Sequence, residues 1–512
     1  MAYERKTISS IKWIFEIFIS IFLIALQLVI YYLLFVGIRT IPYIYMVFFI
    51  LAIILVIRLF NSSDNISYKL AWTIIILLFN VSGSILYLLF GRGHSLPKRK
   101  YRKIAGYLNK YVSESEILKE VKEVDQFGHK SFKLLNAQTG LYPYRYEDGS
   151  FYSDGKKMFD AMIESIDNAK KYIFMEFFII ASGKMLDRLI EHLVEASQRG
   201  VEIKIIYDYV GCHVPKVLKK EDKIRIESIP NCKFVTYNPI SIKLNLGINY
   251  RDHRKILLVD GLESFVGGIN IADEYIHEKE RFGYWRDNGM KLVGEASYNY
   301  LLIFLQNWFM STKEPLDIEK YRYKNKKTNG NGYVFPFGDG PSQKTNPAYD
   351  LFTQLISNAK ESILISTPYF VIDTEFVKNL INAIKSGVNV KILIPGIADK
   401  KIVKFMATKP LKEIVLAGGE VYEFKPGFNH AKTVMIDSQY AVLGTINIDY
   451  RSLFLHFECA NYMVLSPIIK EIEDDFYKDL AISRKIEIKD LKKENIFKRF
   501  IRFLLSLFTP LI

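Results

Sequence analysis

The chain has 512 residues, 50% of them hydrophobic and 24% charged, with a formal net charge of +14. That length exceeds the range over which one hydrophobic core keeps growing, so two or three domains are expected, and the basic balance points to nucleic acid, an anionic membrane or an anionic substrate. Three widely spaced cysteines, Cys212, Cys232 and Cys459, exclude a disulfide framework and a cysteine zinc motif, and fit a reducing compartment.

The apolar excess sits in the first ninety residues. Trp13–Val36 is interrupted only by Glu16 and Gln27 among strongly polar residues, and Ile41–Ile57 and Leu70–Phe90 carry no charge. A membrane span needs about 20 residues; the second stretch reaches that only with its flanks. A removable signal segment accounts for one such run, not three. A membrane region over 1–110 is expected, with two or three transmembrane helices at about 11–36, 41–60 and 70–90. The basic segment Arg92, Lys98, Arg99, Lys100, Arg102 and Lys103 predicts that the large C-terminal part of the chain is cytoplasmic. Three spans would then put Arg5, Lys6 and Lys12 outside, so a two-span or re-entrant arrangement stays open.

Beyond residue 110 the pattern is α/β. A helix is predicted over 159–169, a strand over 172–180, a helix over 186–198 and a strand over 201–207. The order repeats at 351–359, 362–371, 376–384 and 388–394. Gly387-Val-Asn-Val-Lys-Ile-Leu-Ile394 matches Gly200-Val-Glu-Ile-Lys-Ile-Ile-Tyr207 nearly residue for residue. Alternating helices and strands imply layered α/β halves, here 111–323 and 346–490, joined by a Lys/Asn/Gly/Pro-rich linker at 324–345. Over 491–512 a terminal amphipathic helix is expected, with 497, 500, 501, 504, 505 and 508 on one face, short enough to lie on a membrane rather than cross it.

A polar cassette also repeats. His253-Arg-Lys255, Asp260 and Gly267-Gly-Ile-Asn270 recur as His430-Ala-Lys432, Asp437 and Gly444-Thr-Ile-Asn447, at a constant offset of 177 residues (253 to 430, 270 to 447). A lone His-x-Lys strand is usually only a surface strand; the doubling reverses that judgement. His and Lys two apart on a strand share a face. Five residues beyond Lys, each Asp falls on the opposite parity, so Asp260 and Asp437 belong to the cassette but brace the following turn. The glycines allow close approach of backbone to a ligand. Two lysines (Lys255, Lys432) and two asparagines (Asn270, Asn447) bind the non-bridging oxygens of a phosphodiester. One histidine attacks phosphorus and the other handles the proton of the leaving or entering oxygen. No carboxylate cluster has two-metal spacing, so metal-free chemistry without a cofactor is expected.

The doubled His-x-Lys-x4-Asp pattern resembles the phospholipase D superfamily. Its context is similar to bacterial cardiolipin synthases: Asn249–Lys255, Gly267–Tyr275 and Trp285-Arg-Asp287 in the first half, Gly427–Thr433, Gly444–Ser452 and Phe457-Glu458 in the second, and Leu88–Arg92 closing the apolar region. The resemblance covers nearly the whole chain. It implies two pseudo-repeated phospholipase D-type α/β/α halves forming one active site, preceded by transmembrane helices. It further implies that an acidic residue downstream of each motif supports a catalytic histidine, matching Asp287 to His253 and Glu458 to His430, with His253 as nucleophile and His430 as acid/base. Glu176 is a candidate to reach the site, with a buried core carboxylate as the alternative. His456 departs from the resemblance, standing where Asn is usual.

The implied activity is cardiolipin synthesis, phosphatidyl transfer between two phosphatidylglycerols at a bacterial membrane, with anionic phospholipids and not nucleic acid as partners. A phospholipase D-type hydrolase, a phosphatidylserine synthase and a non-catalytic membrane scaffold are the alternatives.

Overall fold

The structure is a computed structural model and describes residues 22, 25–33, 41–62, 66–91, 116–213, 217–239, 250–315, 317–323, 330–343, 345–490 and 495–508. The chain divides into two compact units. One gathers 1–96, 240–249 and 495–512; the other comprises 97–239 and 250–494.

In the smaller unit, helices Ile41–Phe60, Ile66–Leu78 and Asn80–Leu86 pack around Ala52, Leu55, Leu59, Tyr68, Trp72, Ile76 and Tyr87. Among the described residues no helix is long and apolar enough to cross a membrane. The first expected span lies mostly outside the described residues. The second coincides with helix Ile41–Phe60, in which described side chains run unbroken only over 45–60. The third, expected as one helix over 70–90, is broken: the chain leaves helical geometry at Phe79 (φ −126°, ψ 62°), restarts at Asn80 and closes in a π-helical turn, Tyr87–Gly91. The break frees backbone N–H groups in an apolar setting, where each must find an acceptor. Gln27, the polar interruption of the first apolar stretch, provides it. Its Oε1 accepts from Val81 N at 3.1 Å and Ser82 N at 3.2 Å, and its Nε2 donates to Asn80 Oδ1 at 3.4 Å. The basic segment 98–103 lies outside the described residues. The terminal helix runs Ile496–Phe508 and packs against helix Ile66–Leu78, with Phe497 and Phe500 exposed.

The larger unit holds two sheets of mixed direction. The first runs in the order Asp148–Tyr152, Gly289–Val293, Glu263–Gly267, Lys255–Val259, Tyr172–Phe177, Glu202–Asp208, Cys232–Tyr237. The second runs Tyr333–Asp339, Glu458–Val464, Tyr440–Gly444, Thr433–Ile436, Ser362–Ser366, Asn389–Pro395, Glu420–Phe424, with Tyr144–Arg145 and Arg484–Lys485 added at its edges. The two orders are the same strand for strand, so the sequence repeat is a structural repeat. The matching Gly200 and Gly387 come just after the helices Lys184–Gln198 and Thr374–Lys385 in left-handed geometry, φ +87° and +95°, where a side chain is strained.

Two boundaries differ from expectation. The linker 324–345 contains the fully buried strand Tyr333–Asp339, paired along its length with Glu458–Val464. Pro336 is tolerated because the opposite edge is paired only at Tyr333 and Val334, so its missing N–H breaks no ladder. Residues 116–145, assigned by order to the first half, serve the second sheet instead. Helix Gln126–Thr139 packs on strand Tyr333–Asp339, and Phe132 stands 5.3 Å from Tyr462.

Asp260 and Asp437 brace the two central strands. Asp260 accepts from the N–H groups of Lys170, Lys171 and Tyr172 at 2.8, 2.7 and 2.9 Å. Asp437 accepts from those of Lys360, Glu361 and Ser362, each at 2.8 Å. Each carboxylate satisfies three donors at the point where a helix hands over to a strand. Asp260→Ala or Asp437→Ala is expected to destabilise the larger unit by about 1–3 kcal/mol, seen as a lowered denaturant midpoint with unchanged slope; an unchanged midpoint would contradict the bracing role.

Candidate active site

The two cassettes meet because the halves exchange short strand segments. Gly427–Asn429 runs parallel to Tyr284–Arg286, and Asp252 forms a parallel bridge with Phe457. His253 N donates to Phe457 O at 2.9 Å, and His430 N donates to Arg286 O at 2.6 Å. In each case the next residue of the crossing segment is a carboxylate. It is therefore delivered to the histidine of the opposite half.

This corrects the expected pairing. His253 Nδ1 lies 2.9 and 3.0 Å from the two Glu458 oxygens, and His430 Nδ1 lies 2.6 Å from Asp287 Oδ2. The in-half matches, Asp287 with His253 and Glu458 with His430, are not made. Asp287 and Glu458 are fully buried, and the carboxylates accept from Nδ1–H, which leaves Nε2 of each ring for chemistry. Gly268 makes room for Asp287: a Cβ there would sit 2.0 Å from Oδ1. Its counterpart Thr445 instead donates its hydroxyl to Glu458. The sequence does not assign that threonine a role, although it stands as the one difference between the two Gly-x-Ile-Asn turns.

Lys255 and Lys432 are each 2% exposed, and each ammonium donates to the carbonyl of its own histidine two residues back. Lys255 Nζ also lies 5.5 Å over the Phe178 ring. Among the described residues these are the only hydrogen bonds made by the two ammonium groups, which leaves two donors on each for an anion. Burial lowers Lys255 to about 7 and Lys432 to about 8, against the raising pull of Glu458 and Asp287. Burial, with the neighbouring lysine charges, holds His253 well below its usual value and brings His430 to about 4. An anion placed beside the two ammonium groups would favour their charged forms and raise both lysines again.

The asparagines are partly committed. Asn270 accepts from Ile179 N at 3.0 Å and donates to Tyr275 Oη at 2.6 Å. Asn447 donates to Ser452 Oγ at 3.1 Å, while its buried Oδ1 has no hydrogen-bond partner among the described residues. They shape the turns beside the site, with one amide hydrogen each to spare. Asp260 and Asp437, expected to brace a turn, are at the far end of their strands, where their carboxylates accept from backbone N–H groups. Glu176 does not reach the histidines. Its carboxylate accepts from Arg254 Nη1 at 3.3 Å and Asn307 Nδ2 at 3.0 Å. The apolar wall, unassigned by sequence, is Tyr275, Trp285 and Phe428 around His430 and Phe178 near His253.

His253, His456 and Glu458 also bring three possible metal-ligand atoms within 4.8 Å of one another. Arg451 Nε donates to His456 Nε2 at 3.2 Å. The neutral ring then carries its proton on Nδ1, the atom facing Glu458, which makes Nδ1 a poor ligand. The set fits a proton-bearing neighbour of the Glu458–His253 pair better than a metal.

Comparison with known proteins points the same way. A family described as "Cardiolipin synthase, PLD-like domain" matches residues 162–281 and 352–480, and one described as a phospholipase D-nuclease N-terminal region matches 47–92. A cardiolipin synthase of Clostridium perfringens is 32% identical over 458 residues, 86% of this chain and 94% of that protein. The chain belongs to the cardiolipin synthase family of phospholipase D-like proteins. Cardiolipin synthase 2 of Bacillus anthracis is also 32% identical, over 89% of this chain and 88% of its own. Among solved structures, phosphatidylserine synthase of Haemophilus influenzae shares the fold, with TM-score 0.56 at 15% identity, covering 76% of this chain and 98% of its own.

Two consequences of the burial are measurable. The unfolded chain binds more protons than the folded one between the usual histidine value of 6.5 and the His430 value of about 4. Stability should therefore fall as pH drops through that window. An anion beside the ammonium groups raises the lysines again, so dimethyl phosphate binding at pH 8 should take up protons, read by calorimetry in buffers of different ionisation enthalpy. Buffer-independent heats would contradict the depressed lysines.

Proposed function

We propose that the protein is a phosphatidyl transferase that joins two phosphatidylglycerol molecules into cardiolipin and releases glycerol. The observation that carries the reading is the pair of buried histidines, each fixed by a carboxylate from the other half and each beside a buried lysine. Lys255 and Lys432 neutralise the non-bridging oxygens of the donor phosphate. His430 takes up a proton on Nε2 as the anionic phosphate binds; His253 Nε2 then attacks phosphorus, a P–N bond forms, the P–O bond to glycerol breaks, and the Nε2 proton of His430 passes to the departing oxygen. His430 then takes the proton from the hydroxyl of the second phosphatidylglycerol, whose oxygen attacks phosphorus as the P–N bond breaks. Glu458 stabilises the positive charge that forms on His253, as Asp287 does on His430. Both lysines act as buried groups, where such charge pairing is strongest.

The same reading embeds the smaller unit in a bacterial membrane with the catalytic unit on the cytoplasmic side. Helix Ile41–Phe60 exposes Tyr43, Met46, Val47, Phe49, Ile50, Ile53, Ile54 and Ile57, an apolar surface suited to lipid contact. The exposed Phe497 and Phe500 of the terminal helix suit an interfacial position.

Purified protein in phosphatidylglycerol vesicles with a chelator should yield cardiolipin and an equal amount of glycerol. Phosphatidic acid in place of cardiolipin would assign the protein as a hydrolase. His253→Ala and His430→Ala should each cost at least about 10³-fold in transfer; substantial residual transfer in either variant would remove the two-histidine scheme.

A further inference from the structure

The two sides of the site are not equivalent, and the difference bears on how an alcohol outcompetes water. A cavity of about 180 Å³ lies between helix Lys401–Ala417 and the C-terminal ends of strands Asn389–Pro395 and Glu420–Phe424. The helix lines it with Val403, Ala407, Leu411 and Val415, one residue per turn, flanked by Lys404 and Thr408. Its other walls include Phe428 and Tyr369. Phe428 belongs to the active site as well: its ring is 5.7 Å from that of His430, and Tyr369 is 6.5 Å from Phe428.

The charged groups around the cavity are largely accounted for. Lys404 and Arg484 both pair with Glu423, at 2.9 and 2.6 Å, and Tyr369 Oη donates to Asp399 at 2.5 Å. Lys400 makes no ion pair among the described residues; its Nζ lies 5.1 Å over the Tyr369 ring, and its charge is felt at His253. The chamber thus lies against the catalytic centre across the Phe428 ring, with Lys400 in its lining. The first half has nothing equivalent at the matching wall position. There the counterpart of Phe428, 177 residues earlier, is Arg251, which is 2% exposed and 3.6 Å from the Asp208 carboxylate.

We propose that this cavity holds the first several carbons of an acyl chain of the acceptor phospholipid, with Lys400 beside its phosphate, and that it is the device that favours transfer over hydrolysis. The proposal rests on the phosphatidyl-transfer reading. His430 activates the incoming hydroxyl, so a pocket that shares a wall with His430 is placed to hold the acceptor rather than the donor. A lipid anchored there presents its hydroxyl at high effective concentration and fills space that water would otherwise use.

Filling the cavity tests this. Ala407→Trp plugs its centre, and Thr408→Trp, at an exposed position on its edge, narrows it with little risk to folding. Full-length variants are incubated with phosphatidylglycerol vesicles, and the ratio of cardiolipin to phosphatidic acid is measured. The proposal expects that ratio to fall at least fivefold in both; an unchanged ratio in a variant that still turns over lipid overturns it. A wild type that forms no cardiolipin would instead count against the transferase reading itself. Independently of folding, wild-type protein is irradiated in vesicles of phosphatidylglycerol bearing a photoreactive group on its acyl chain. Labelling of peptides within 403–415 is expected. Labels confined to other segments would overturn the cavity's role even if cardiolipin is made.

Discussion

Everything at the catalytic centre depends on the exchange of two short strand segments between the repeated halves. The bridge at Asp252 and Phe457 and the parallel pairing of Gly427–Asn429 with Tyr284–Arg286 do more than glue two sheets together. Each ties a histidine backbone to the residue just before a carboxylate, so the imidazole of one half can be oriented only by the side chain of the other. A half on its own would carry a histidine, a lysine and a carboxylate with no partner for the first and last. The arrangement makes the complete site a property of the pair.

The electrostatics result from that enclosure. Two lysines, two histidines and two carboxylates are removed from water together, at a cost that only a full set of partners offsets. The carboxylates are spent on the imidazoles, and each lysine reaches only a carbonyl. Each ammonium therefore keeps two N–H donors without a partner among the described residues. The asymmetry outside this centre is as informative. Arg251 stands with Asp208 on one side, where the other has Phe428 with its cavity.

The repeated cassette and the matching Gly-Val strands were legible in the sequence because identities recur at one offset, and the identical strand orders agree with them. The carboxylate pairing was not. Asp287 is near His253 in sequence, whereas Glu458 is 205 residues away, and proximity along the chain carries no information about segments that cross between domains. The strand Tyr333–Asp339 was hidden by Pro336 and its Gly/Asn surroundings, which read as linker until the edge position makes the proline harmless. Hydropathy likewise saw an unbroken apolar stretch over 70–90, since it registers side chains and not backbone hydrogen bonds. The clue to the break was Gln27, a polar residue in another stretch whose purpose appears only once the freed N–H groups of Val81 and Ser82 are in view.

The central claim is that one particular histidine carries the phosphatidyl group between the two lipids. Acid-quenched protein from a reaction with phosphorus-labelled phosphatidylglycerol, digested under conditions that preserve phosphoramidates and mapped by mass spectrometry, addresses it directly. The account predicts label on the peptide containing His253, absent in His253→Ala. Label on the His430 peptide would reverse the two roles, and a labelled lipid product formed with no modified histidine at any time point would contradict the covalent mechanism.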